Sequence, residues 1–360
     1  MIKKIDLYII KKFLGTFIFA IAIIISIVIV FDISEKIDDF IEKEAPIEAI
    51  IFDYYFNFIP YFVNLFSPLF TFISVIFFTS KMAANTEIVA ILSSGVSFKR
   101  FLLPFMIAAT ILSILSFYLI NFVIPPANEK RLAFEARYVR NRYWNGDMNI
   151  HKQIQPGEFI YFQSFNTYDN IGYQFSYEKI KNGKVNYKFM SDVLRWDTIK
   201  KNWHAENVRI RTIDSTKETL RTTITLDTAF IFNDTEFNVR KDNLIETMNY
   251  FELNKFIEVE KQKGSDEVPY FEVEKYQRMA YPLATFVLTL IGVAMSSRKV
   301  RGGIGVHIGI GLLISFSFIL FMQIAITFAT NANVPAQIAV FIPHMIYMVL
   351  ALYLIKIAPK

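Results

Sequence analysis

The chain has 360 residues, 53% of them hydrophobic and 20% charged, with a formal net charge of +5 and a mean hydropathy of +0.34. That is too apolar for an ordinary soluble domain and too charged for a bare helix bundle. The modest basic excess reads as membrane orientation, with no nucleic-acid role. With no cysteine there is neither a disulfide framework nor a thiolate metal site.

Met1 to Lys12 is basic and amphipathic, with Lys3, Lys4, Lys11 and Lys12 against one acid, Asp6. Phe13 to Phe31 carries no charge, and about 20 helical residues cross a bilayer core, so this is span one. The run is too long for a cleavable signal peptide and lacks a small-residue exit. Asp32 to Asp53 follows as an acidic loop whose only bases are Lys36 and Lys43. Span two lies within Tyr54 to Ser80, where Pro60 and Pro68 are expected to kink it. Span three lies within Phe101 to Pro125, after a short segment bearing Lys81, Lys99 and Arg100.

From Glu129 to Lys275 the chain is polar. Tyr173, Phe175 and Tyr177 alternate with polar residues, Asn182-Gly183 signals a hairpin, and Val185, Tyr187 and Phe189 alternate again. Phe159 with Tyr161, Val208 with Ile210, and Leu220, Thr222, Ile224 and Leu226 have the same period. Arg209 and Arg211 fall on a solvated strand face. Short strands at this spacing predict a sandwich or jelly roll. The pattern turns helical over residues 253–263 and 271–278. Met279 to Ser297 is span four, followed by Arg298, Lys299 and Arg301. Gly302 to Ile355 holds no acid, Lys or Arg, enough for two spans broken at Asn331-Ala332-Asn333-Val334-Pro335. Lys356 and Lys360 close the chain.

The expected fold class is thus a polytopic α-helical membrane protein with six transmembrane helices in two triplets, plus an antiparallel β jelly-roll-like domain inserted between helices three and four. The domains are residues 1–128, 129–275 and 276–360. Base-rich loops alternate with acidic or uncharged ones, which places both termini in the cytoplasm and the insert outside, in the periplasm of a two-membrane bacterium.

No G-x-x-x-x-G-K-[ST] sequence is present, so the chain has no P-loop for ATP. His151, His204, His307 and His344 are scattered and no metal set is expected. No charged side chain lies deep in a predicted span, which disfavours ion-coupled transport, though Asn57, Asn64 and Gln323 remain.

The segment Asn85 to Gly95 reads as a short helix within residues 83–95. Asn85 can cap it, Glu87 sits in its first turn, Ile88, Val89 and Leu92 form an apolar stripe, and Gly95 ends it. It either lies on the membrane surface or docks a separate motor subunit.

Thr86-Glu87-Ile88-Val89-Ala90, with Ser94-Gly95 and Phe98, resembles the cytoplasmic loop of the LptF/LptG lipopolysaccharide-export permeases. The resemblance extends through Asp6-x-Tyr8-Ile9-x-Lys11, Val123 to Glu129 with Arg137, Lys275 to Leu283, the glycines after Arg301, Pro335 and Pro343. Chain length leans toward the LptG-like subunit. The resemblance implies two permeases paired in the inner membrane, each docking a cytoplasmic ABC ATPase through Thr86, Glu87, Ile88, Val89, Leu92 and Gly95. ATP and Mg would be used by that partner, with no cofactor and no catalytic residue on this chain. Lipopolysaccharide would enter between span one of one subunit and span five of the other, then pass to periplasmic jelly-roll bridge proteins.

In this family basic residues near Lys36 and Lys43 meet lipid phosphates. The plainer alternative is solvated lysines paired with Glu35 or Asp39. Gly305 and Gly309 form G-x-x-x-G in span five, either a movable gate or static packing. His307 reads as polar packing, and the aromatic stripes of the insert as a β-core. Two other functions stay open: an ATPase-independent scaffold whose β-domain recruits envelope partners, and an ion-coupled lipid transporter.

Overall fold

A computed structural model describes residues 3–139, 148–214, 217–234, 237, 241–298, 303–332 and 334–358. Lys299, Arg301, Gly302, Asn333 and Lys360, used above to read loops and spans, lie outside the described residues. The chain divides into two compact units. One comprises Met1–Phe134, Thr247–Tyr250 and Pro269–Lys360, and the other Glu135–Glu246 and Phe251–Val268.

The first unit contains six helices long and apolar enough to cross a membrane. They are α1 (Lys4–Glu42), α2 (Ile47–Ala84), α4 (Phe98–Tyr138, its last residues in the second unit), α7 (Val268–Ser296), α8 (Gly303–Asn331) and α9 (Ala336–Ile357). Between α2 and α4 lies the short α3 (Glu87–Ser93).

Helix α1 outruns the predicted span at both ends. Its 39 residues reach about 58 Å at 1.5 Å per residue. The charges after Phe31 end the apolar run but not the helical period, since Ile33, Ile37 and Ile41 recur every fourth residue. The acidic stretch expected as a loop is therefore helical to Glu42. Helix α4 likewise runs through Pro125-Pro126. The preceding turn, Leu119–Val123, is a π-helix, and widening the turn accommodates prolines that lack an N–H.

Two apolar clusters hold this unit. In one, Ile9, Phe13 and Phe17 of α1 pack with Phe78 and Met82 of α2 and with Phe101 and Phe105 of α4. In the other, Phe72 and Ile76 of α2 meet Leu288 and Ile291 of α7, Phe318 of α8 and Tyr347 of α9. Glycine permits the closest approaches. A Cβ on Gly292 would lie 2.9 Å from Val75 Cγ1, and one on Gly311 2.3 Å from Ile76 Cδ1.

The second unit is built on six strands: β1 (Met148–Gln155), β2 (Glu158–Asn166), β3 (Ile171–Lys181), β4 (Lys184–Asp197), β5 (Asn202–Asp214) and β6 (Lys217–Thr228). They form one antiparallel sheet in sequential order, an up-and-down meander. Asn182 and Gly183 both have positive φ, as a tight primed hairpin turn requires, and Lys181 pairs with Lys184 across it. Helices α5 (Lys241–Glu246) and α6 (Tyr250–Gln262) follow the sheet.

The aromatic stripe is a core, though not always on the face that alternation suggested. Ile160, Phe162 and Phe165 are buried on β2, while Phe159 is exposed. On β3 Phe175 and Tyr177 are buried but Tyr173 is exposed, because Gln174 takes a left-handed φ of 49° and interrupts the pleat. Leu220 and Ile224 of β6 are 64% and 80% exposed, so the period of that strand does not mark a buried face. Trp203, fully buried, donates from Nε1 to the Phe232 carbonyl at 3.0 Å, and Phe230, Phe232 and Phe237 close the apolar face.

Candidate functional site

The short helix α3 starts in a strained turn. Thr86 is its N-cap at φ 61°, a left-handed conformation rare for a β-branched residue. Its hydroxyl donates to the Asn85 carbonyl at 2.6 Å, and the Asn85 amide donates to the Glu87 carboxylate at 3.1 Å. Asn85 is thus the C-cap of α2, not the cap of α3. Gly95 ends α3 at φ +86°, its N–H reaching the Leu92 carbonyl at 3.0 Å.

The predicted apolar stripe divides. Ile88 is fully buried in the cluster of α1, α2 and α4, Leu92 is half-buried, and Val89 is 60% exposed. One turn of helix therefore presents Val89, Ala90 and Ser93 outward, with Glu87 half-exposed at its start.

Next to it, Asp6 in the first turn of α1 meets Arg100 in the first turn of α4. The guanidinium donates in parallel from Nη1 to Oδ1 at 2.7 Å and from Nη2 to Oδ2 at 2.5 Å. The Asp6 side chain is 2% exposed and also accepts the Lys3 N–H at 2.7 Å. The sequence marked Asp6 as the lone acid among lysines and as part of the Asp6-x-Tyr8-Ile9-x-Lys11 stretch, but not its pairing with Arg100, because a partner 94 positions away leaves no local pattern.

Lys36 and Lys43 differ sharply. Lys36 Nζ donates to Asp32 Oδ1 at 2.7 Å and bonds the Tyr54 hydroxyl. Asp32 further accepts from Tyr54 and Tyr55, each at 3.0 Å. The ammonium lies 4.8 Å from the Tyr54 ring centroid, and that ring packs on Phe40, Phe58 and Phe134. Lys36 is thus held inside the subunit, by Asp32 and not by Glu35 or Asp39. Lys43, at the C-cap of α1, is half-buried and forms no ion pair among the described residues.

Gly305 and Gly309 lie on an exposed face of α8, with nothing within 4 Å of a Cβ at either position. Among the described residues, no other helix comes within that distance of either position. His307 is buried and bonds the Arg298 carbonyl at 3.1 Å. Arg278, 2% exposed, donates to Glu274 at 2.8 Å and to the Met248 carbonyl at 2.7 Å, holding the 247–250 segment. Among the described residues no cluster of three His, Asp or Glu can hold a metal ion.

Six apolar helices interrupted by a β-insert, with a short helix between the second and third, are the frame of one transporter family. The model for "Lipopolysaccharide export system permease LptF/LptG" matches residues 7–357. The chain belongs to the LptF/LptG permease family. It is a multi-pass inner-membrane protein with a role in lipopolysaccharide export, and a permease rather than an enzyme. The match does not distinguish the LptG from the LptF subunit. No curated protein matches the chain.

Proposed function

We propose that this LptF/LptG permease docks a cytoplasmic ABC ATPase through α3 and, paired with a second permease, uses the partner's ATP hydrolysis to lift lipopolysaccharide from the inner membrane. The supporting observation is α3 itself, where Ile88 anchors the helix while Val89, Ala90 and Ser93 face outward beside Glu87. The base-rich segment carrying Lys81, Lys99 and Arg100 argues for a cytoplasmic α3. By the same alternation the termini are cytoplasmic and the β-domain periplasmic.

The β-domain supports a bridge partner. An edge strand with free backbone groups invites strand addition, and β6 is such an edge, with Leu220 and Ile224 exposed. Lys43 is the better candidate for lipid phosphate than Lys36. Gly305 and Gly309 suit close approach by the second permease.

Purification in mild detergent tests this. A P-loop ATPase and a second six-span permease should be recovered, and Glu87→Arg should release the ATPase. Recovery of the chain alone, or with envelope partners only, from cells that contain the ATPase would refute the reading in favour of a scaffold.

A further inference from the structure

We propose that the Asp6–Arg100 pair is the strut that carries movement of α3 to α1, so that both are positioning residues for coupling ATP hydrolysis to lipid movement. The inference rests on the reading of α3 as the docking helix. Only residues 94–97 separate α3 from α4, and Ser97 caps α4 by accepting the Arg100 N–H at 3.3 Å. A shift of α3 is therefore passed directly to Arg100. From there, two parallel charge-assisted bonds reach Asp6. A forked pair fixes orientation as well as distance, which apolar contacts alone do not.

The apolar surroundings make the strut stiff. Ile9 and Phe13 of α1, Ile88 of α3, and Phe98 and Phe101 of α4 belong to one buried cluster around the pair. Farther along, the packed face of α1 continues through Phe17, Ile21 and Ile25, and Asp32 and Phe40 engage Tyr54 and Tyr55 of α2, so a shift at Asp6 is carried along the whole helix. Among the described residues Asp6 accepts from no other side-chain base, so removing Arg100 leaves a buried carboxylate that must take up a proton or water.

The test uses the complete exporter in proteoliposomes, comparing wild type, Asp6→Asn, Arg100→Gln and Arg100→Lys. ATPase retention, ATP hydrolysis and lipopolysaccharide transferred per ATP are measured together. The neutral variants should keep the ATPase and its basal turnover while transfer per ATP falls on the order of tenfold, within the usual range of coupling between sites. Arg100→Lys, which keeps the charge but loses the fork, should fall between. Arg100 is 31% exposed, so its variants keep the test open if Asp6→Asn does not assemble. An Asp6→Cys/Arg100→Cys double variant supplies the control, since the chain has no other cysteine. Bridging the two thiols with a short bismaleimide should restore transfer per ATP.

Unchanged transfer per ATP in Arg100→Gln, or loss of the ATPase from that variant, would overturn the strut while leaving docking intact in wild type. Failure of the wild type to retain any ATPase would overturn the docking reading, and the strut with it.

Discussion

Lys36 is bound to Asp32 one helical turn earlier, and the pair is capped by two tyrosine hydroxyls from the start of α2. The Lys36 side chain is 18% exposed and that of Asp32 11%. Presenting Lys36 to a phosphate would strip Asp32 of its cation in a partly desolvated place, which costs more than a surface exchange. Lys43 carries no such debt. Lys43→Ala should therefore weaken lipopolysaccharide stimulation of the ATPase, while Lys36→Ala should chiefly lower stability, by about 2 kcal/mol, between the surface and buried limits. Thermal melts and lipid titrations on both variants decide it. A larger loss of lipid response in Lys36→Ala, at unchanged melting temperature, would contradict the assignment.

The division of α3 into a buried and an exposed half gives a second prediction. Ile88→Ala removes a fully buried side chain and should cost about 2–5 kcal/mol of stability. Val89→Glu puts a charge on an exposed site and should leave the melt unchanged while abolishing ATPase retention. If Val89→Glu keeps the ATPase bound in a pull-down, the contact does not run through that face.

Glu158 is one group through which the β-domain should lose stability in acid, and the most buried of its carboxyls held below their ordinary values. Burial disfavours the charged form of Glu158, but hydrogen bonds from Tyr177 at 2.6 Å and Lys179 at 2.9 Å outweigh it and hold the carboxyl below its ordinary value. A depressed carboxyl contributes stability above its unfolded pKa, about 4.3, and loses it as pH falls through the lower folded value. The β-domain melt should therefore be flat in this respect from pH 7 to about 5 and fall below about 4. Glu158→Gln should be less stable at pH 7 and show a shallower acid decline. Equal declines in variant and wild type would assign the acid sensitivity elsewhere.

Much of this molecule was legible from order and period alone. Six apolar runs, a polar insert and the Asn182-Gly183 hairpin are local signals, and local signals survive in a single sequence. Charge marked where apolar runs end but not where helices end, so α1 past Phe31 was read as loop although Ile33, Ile37 and Ile41 continue its period. Strand faces were misread where one residue with positive φ, Gln174, shifts the alternation. The Asp6–Arg100 and Arg278–Met248 contacts left no trace, because each joins residues that only the tertiary fold brings together.

The glycines of the membrane unit separate by what surrounds them. At Gly292 a Cβ would meet Val75 Cγ1 at 2.9 Å and the Phe72 ring at 3.1 Å. Val75 and Phe72 are fully buried and cannot retreat, so Gly292→Ala should overpack the α2–α7 contact and cost about 1–3 kcal/mol. Gly305→Ala and Gly309→Ala meet open space within the subunit. Their helical propensity even favours alanine, by roughly 1 kcal/mol per site, so the isolated subunit should melt no lower. If a second permease packs against this face, bulk there should act only on the pair. Gly309→Leu should then leave the subunit's melt intact and reduce recovery of the partner permease. A Gly309→Leu subunit that pairs and transports normally would show that this face meets lipid, unlike Gly292 and Gly311, whose close approach is to α2 of the same chain.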